Sequence, residues 1–294
     1  THSPKPAQAR GVTTFELWCA LFADDCALLF NTCEDMIKGA NYLYHHLRRF
    51  GLLMHIGKGT VASKTEAMFF PRPREPSDGG DQSNFTVAGG FVSFTTEFRY
   101  LGSIIHQTLA SDADVDARIA KARAAFGALK ECFLSRKDVA GKDKGIVFVA
   151  LCLSILLYGS ESWCLREDLF NRLRTFFNSC VRKMCRVTMA HVIRHRITTK
   201  ELLKRLGLYA FDEYYNCRLL RWAGHVARMP MTRMPRMLMT GWVPNSRLIG
   251  APQMTIGRTI NKALVSKGIN KDFNTWRTLA QDRPAWRHLT HPAN

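Results

Sequence analysis

The sequence predicts an α+β chain: a small antiparallel sheet with one packed helix, followed by a mostly α-helical remainder. Three observations predict it. Short apolar runs broken by turn residues fill the stretch before residue 111, the pattern of strands and hairpins. From Ser111 the apolar spacing changes to alternating fours and threes, the period of a helix face. Positive charge is concentrated in the last part of the chain, which sets that part off from the rest. With 294 residues, 46% of them apolar, the chain has enough material for one large or two to three smaller hydrophobic cores.

Residues 17–22 and 26–30 are apolar runs on either side of Ala23, Asp24 and Asp25. They read as two strands of a buried hairpin with both carboxylates at its tip. Ionised groups beside so much hydrocarbon are costly, and a hard cation such as Mg2+ compensates them. The same pattern also fits a surface turn, because Asp side chains bond nearby backbone amides. Residues 33–50 carry Met36, Ile37, Ala40, Leu43, Tyr44 and Leu47 at helical spacing, and Gly51 ends that helix. An extended stretch over 64–70 leads into a Pro- and Gly-rich surface loop at 71–80, where regular structure is disfavoured. Residues 85–92 and 98–105 read as two more strands.

Val115, Ile119, Ala122, Phe126, Leu129 and Phe133 line one face of a long helix. Asp112, Asp114 and Asp116 at its start, and Lys130 and Arg136 at its end, complement the helix dipole. Further helices are predicted over 142–158, 167–185, 199–206 and 211–227, the third capped by Thr198 or Thr199. Residues 229–253, rich in Pro, Gly and Met, read as an irregular connection before a short helical segment at 273–289. No internal repeat is evident.

The longest apolar stretch, 146–158, is shorter than the ~20 residues of a membrane-spanning helix, and residues 1–10 lack a hydrophobic signal core. Nine cysteines without C-x-x-C spacing suggest reduced thiols in an intracellular protein, nuclear or cytoplasmic. Cys180, Cys185, His191 and His195 form a loose two-Cys, two-His pattern. Both thiols fall on a helix whose apolar face holds Phe176, Phe177, Val181 and Met184, so core cysteines and no zinc are expected.

Residues 1–110 hold ten basic and ten acidic side chains, 111–165 eight against seven, 166–237 sixteen against five, and 238–294 eight against two. Seventeen of the eighteen excess charges therefore lie beyond residue 165. A polyanion such as nucleic acid accounts for carrying that self-repulsion, although a merely soluble basic surface has the same composition. Arg182, Arg186, Arg194, Arg196, Arg218, Arg221 and Arg228 are the candidate phosphate contacts, since a guanidinium matches phosphate oxygens.

Several segments, taken in order, carry a resemblance. They are Phe22-Ala23-Asp24-Asp25, Phe50-Gly51-Leu52, Ser63-Lys64-Thr65-Glu66-Ala67-Met68-Phe69-Phe70 and Phe98-Arg99-Tyr100-Leu101-Gly102-Ser103. Farther on stand Leu157-Tyr158-Gly159-Ser160-Glu161-Ser162-Trp163, the run 220–230 (LRWAGHVARMP) and the run 279–287 (LAQDRPAWR). With these, the chain resembles non-LTR retrotransposon reverse transcriptases from about residue 15 to about 290. The resemblance implies a partial palm over 1–110, a helical thumb-like region over 111–165 and a basic, mostly helical region over 166–294.

It further implies an RNA-directed DNA polymerase, whose partners are an RNA template, a DNA primer and deoxynucleotides, with no membrane. Such enzymes use two Mg2+ (or Mn2+) ions. Asp24 would ligate metal directly with Asp25 as neighbour, and Phe22 and Leu28 would anchor the hairpin. Lys64 would stand beside the nucleotide phosphates, or be an ordinary surface lysine. Tyr100, Leu101 and Gly102 would form the primer grip, or simply a strand turning a corner. Arg118, Lys121 and Arg123 on the thumb helix would face phosphates. Trp222, beside Arg221 and His225, would stack a base or belong to the core. The family also uses an aspartate from an earlier strand and a fingers region, and residues 1–16 contain no aspartate. The expectation is a catalytically incomplete polymerase segment; the alternative is a non-catalytic nucleic-acid-binding module.

Overall fold

The computed structural model describes residues 18–70, 84–241 and 255–292. The chain divides into two compact units, Thr1–Gly102 and Ser103–Asn294. The predicted loop at 71–80 lies outside the described residues.

In the first unit, β1 (Cys19–Phe22) pairs antiparallel with β2 (Asp25–Leu28), Phe22 opposite Asp25, so that Ala23 and Asp24 make the turn. Helix α1 (Cys33–Arg49) begins at Thr32, whose hydroxyl accepts the Asp35 N–H at 3.1 Å. Strand β3 (Glu66–Ala67) runs parallel to β5 (Gly90–Phe94), and β4 (Phe85–Val87) pairs antiparallel with β5. Strand β6 (Glu97–Tyr100) follows. A small core of Tyr44, Ile56, Ala67, Val87 and Val92 lies between α1 and this sheet. The parallel β3–β5 pairing departs from the all-antiparallel expectation.

Two predicted strands are each interrupted by a turn. Residues 85–92 bend at Ala88 and Gly89, with φ of 46° and 79°, and 98–105 bend at Leu101 and Gly102, with φ of 47° and 84°. A two-residue turn with both φ positive matches the twist of its flanking strands. Ala and Leu are poor markers of such a turn, so only the glycines signalled it.

The second unit opens with β7 (Ser103–His106) and is otherwise helical. Helix α2 (Asp112–Leu129) continues through a π-helical stretch, Lys130–Leu134. Next, α3 (Gly141–Val147) runs through a second wide stretch, Phe148–Leu153, into α4 (Ser154–Leu156). Then come α5 (Glu167–Met184), α6 (Met189–Arg194), α7 (Thr199–Leu206) and α8 (Phe211–Arg228). The last are α9 (Met234–Thr240), α10 (Ile256–Ser266), α11 (Phe273–Gln281) and α12 (Arg283–Leu289). Helices α6, α9 and α10 were not expected, and α9 replaces part of the irregular stretch read at 229–253; residues 242–253 lie outside the described residues.

The face predicted for α2 is the one that packs: Val115, Ala122 and Phe126 are buried, with Ile119, Leu129 and Phe133 against the same core. A chain of rings, Phe126 to Phe148 to Phe177 to Phe211, with centroids 6.2, 5.7 and 5.8 Å apart, ties α2 to α5 and α8. Residues 111–165 and the helices beyond therefore share one core. Among the described residues, no helix is long and apolar enough to cross a membrane.

Burial pushes the Cys180 thiol up to about 12 and Cys152 up to about 11, because apolar surroundings disfavour a thiolate. The Cys185 thiol donates to the Leu202 carbonyl at 3.7 Å. In the native protein, a thiol reagent near pH 8 is expected to modify exposed Cys19, Cys33 and Cys132 well before Cys152 and Cys180. Peptide mapping by mass spectrometry reads the order, and early modification of Cys180 would contradict this core.

Candidate nucleic-acid interface

Asp24 is the second residue of the β1–β2 turn and Asp25 the first of β2, and both are exposed. The hairpin is not buried as expected: Leu21 and Phe22 are 68% and 62% exposed, and Leu28 is exposed too. A two-stranded ribbon has little sheet to bury against. Its anchor is Phe30, just past β2, whose ring occupies the space that a side chain on Gly39 of α1 would fill. Tyr100 reaches the hairpin, its hydroxyl donating to the Ala20 carbonyl at 3.5 Å. Lys64 has an exposed side chain, and its backbone N–H donates to His55 Nδ1 at 3.1 Å.

Among the described residues, no group of three or more His, Cys, Asp or Glu side chains is placed to hold a metal ion. Two metal ions positioned for in-line displacement need several converging carboxylates. Two exposed neighbours on one turn do not provide them, so Asp24 and Asp25 as placed do not fit a two-metal centre.

In the second unit, ion pairing sorts the basic side chains. Arg118, read as a phosphate contact, is buried on α2 with its Nε 3.5 Å from Asp114 and its guanidinium 4.4 Å over the Tyr158 ring. Arg218 Nε donates to Glu161 at 2.7 Å. Arg118, Lys121, Arg218 and Tyr158 nevertheless line one groove of about 530 Å³, where Lys121 and Tyr158 are exposed and Arg118 is buried. Arg123 is exposed and borders a second groove with Arg172 and Lys183 of α5. Arg166 holds Asp112 and Asp168, and Arg172 holds Asp116. Farther along α8, Arg221 is exposed, Trp222 packs half-buried against the core, and Arg228 donates to the Ala280 carbonyl at 2.7 Å.

A different segment is left with its charge uncompensated. Residues 182–205 contain Arg182, Lys183, Arg186, Arg194, Arg196, Lys200, Lys204 and Arg205, with Glu201 their only acidic residue. Glu201 is engaged in the cap of α7, accepting the Thr198 N–H at 2.9 Å. Among the described residues, none of the eight cations pairs with a carboxylate. Helix α6 within this segment has no buried residue, and Met189 and Ile193 are 57% and 68% exposed. Arg182, Arg186, Arg194 and Arg196 were singled out from the sequence; Lys183, Lys200, Lys204 and Arg205 were not. The missed signal was a basic run with one acid, which only the pairing of the other arginines makes distinctive.

No protein-family model matches the chain, and no solved structure matches it. The chain is similar to a Caenorhabditis elegans protein described as transposon-derived and uncharacterized, with 27% identity over 274 residues. That similarity covers 90% of this chain and 92% of the relative, so it spans both units.

Proposed function

We propose that the chain derives from the reverse transcriptase of a non-LTR retrotransposon and that its second unit binds nucleic acid. The uncompensated cations of residues 182–205 carry this reading. A fold that neutralises Arg166, Arg172 and Arg218 internally but, among the described residues, leaves eight neighbouring cations without carboxylates favours an external polyanion over a merely soluble surface. The similarity to a transposon-derived protein supports the origin.

Polymerisation is not the activity proposed for this chain alone. With Mg2+ or Mn2+, a primed template is expected to remain unextended, because Asp24 and Asp25 do not fit a two-metal centre. Extension that Asp24→Asn abolishes would overturn that statement. The binding reading is tested by photo-crosslinking a bromouracil-bearing oligonucleotide and mapping the modified peptides. Crosslinks are expected within 182–205; crosslinks confined to the first unit would refute it.

A further inference from the structure

Five helices end in the same hydrogen-bonded motif. In each, the amide of a residue one position past the helix at α7, and two positions past it at the other four, donates back to the last turn, and so does the amide of the apolar residue after it. At α1, α7 and α10 the first of these positions is Gly51, Gly207 and Gly268, with φ of 74°, 62° and 67°. Glycine is the usual occupant, because a left-handed residue there crowds any Cβ. At α5 and α6 the same position is Arg186, φ 58°, and Arg196, φ 51°.

The two arginines sit in repeated linkers. Arg186-Val187-Thr188 and Arg196-Ile197-Thr198 each place a branched apolar residue against the core, and then a threonine whose hydroxyl accepts an amide of the next helix at 3.2 Å. This ten-residue repeat was not evident in the sequence, because only its backbone role is shared. Between the linkers stands α6, which meets the core through half-buried Val192 and exposes Met189 and Ile193 one turn apart, with the His191 and His195 rings 4.3 Å apart and tilted by 41°.

We propose that α6 and its two linkers form a contact element for single-stranded nucleic acid. Arg186 and Arg196 grip backbone phosphates at either end of α6, and Met189 and Ile193 lie against unpaired bases. The inference rests on the nucleic-acid reading above and gives it a location and a strand type. Charge complementarity selects the partner, since the segment offers eight cations and one engaged carboxylate. Exposed apolar side chains among those cations gain nothing from phosphates alone but do from base faces.

Arginine where glycine fits better supplies the test. Arg186→Gly with Arg196→Gly removes both charges while relieving the backbone, so the melting temperature is expected to hold or rise. The affinity for a labelled single-stranded oligonucleotide is expected to fall on the order of tenfold, and the slope of log affinity against log salt to flatten by about 1.4. Lys130→Ala with Lys262→Ala removes two charges from exposed pairs elsewhere and is expected to change affinity by no more than about twofold. Met189→Ser with Ile193→Ser should weaken single-strand binding at an unchanged slope and leave duplex binding as it was. If the glycine variant matches the lysine variant, or the serine variant weakens both strand types equally, the inference is overturned while nucleic-acid binding stands. If the parent chain binds no nucleic acid, both readings fall.

Discussion

Asp114→Ala is expected to destabilise the second unit by about 3–5 kcal/mol, the effect of removing one partner from a buried ion pair. Asp114 is 3% exposed and its carboxylate is fully engaged. Oδ1 accepts the Ile104 N–H at 3.1 Å, Oδ2 accepts the Trp163 indole N–H at 2.8 Å, and Arg118 stands 3.5 Å away. Removal leaves a buried guanidinium without its carboxylate and an indole N–H without an acceptor. Arg118→Met in the same chain should recover much of the loss, because replacing both ions by apolar groups avoids an uncompensated buried charge. Urea unfolding of the two single variants and the double variant measures this. Additive losses would show that the pair is not coupled.

Gly224→Ala is expected to cost about 3 kcal/mol, against the roughly 1 kcal/mol by which alanine favours a helix over glycine. A Cβ on Gly224 would fall on the Trp286 indole of α12. That indole donates to the Leu220 carbonyl at 2.9 Å and stacks on Trp276 with centroids 5.8 Å apart. Overpacking of this kind typically costs 1–3 kcal/mol, and displacing Trp286 adds the loss of a buried hydrogen bond, about 1 kcal/mol or more. A melting temperature at or above that of the parent would mean that α12 is not held against α8 in this way.

These two sites give physical content to segments that the sequence offered only as a resemblance. In the segment 157–163, Tyr158 lies under Arg118, Gly159 takes a φ of 73°, Glu161 pairs with Arg218 and Trp163 bonds Asp114. The runs 220–230 and 279–287 pack together through Gly224 and Trp286 and through Arg228 and Ala280. Both arrangements organise the fold, so likeness at these residues reports a shared architecture more directly than a shared reaction.

The α2 face was legible because a helix repeats its burial every three or four residues over several turns. The hairpin turns at Ala88 and Leu101 were not, because residues that seldom adopt positive φ occupy them. The Asp114–Arg118 pair was also missed. Read as a charged end and a phosphate-facing side chain, it is one opposite-charge pair at i,i+4, beside the buried Val115 and Ala122. That adjacency to the apolar face was the available signal. For binding, composition pointed to the right part of the chain but not to which arginines are free, since neutralisation by Asp112, Asp116 or Glu161 depends on contacts 54 to 57 residues away.

The most direct measurement is the affinity of the intact chain for a labelled single-stranded oligonucleotide across a range of salt concentrations. A linear fall of log affinity with log salt is expected, by about 0.7 for each phosphate contacted and steep enough to represent several contacts. Affinity that is absent at low salt, or flat as salt rises, would contradict it.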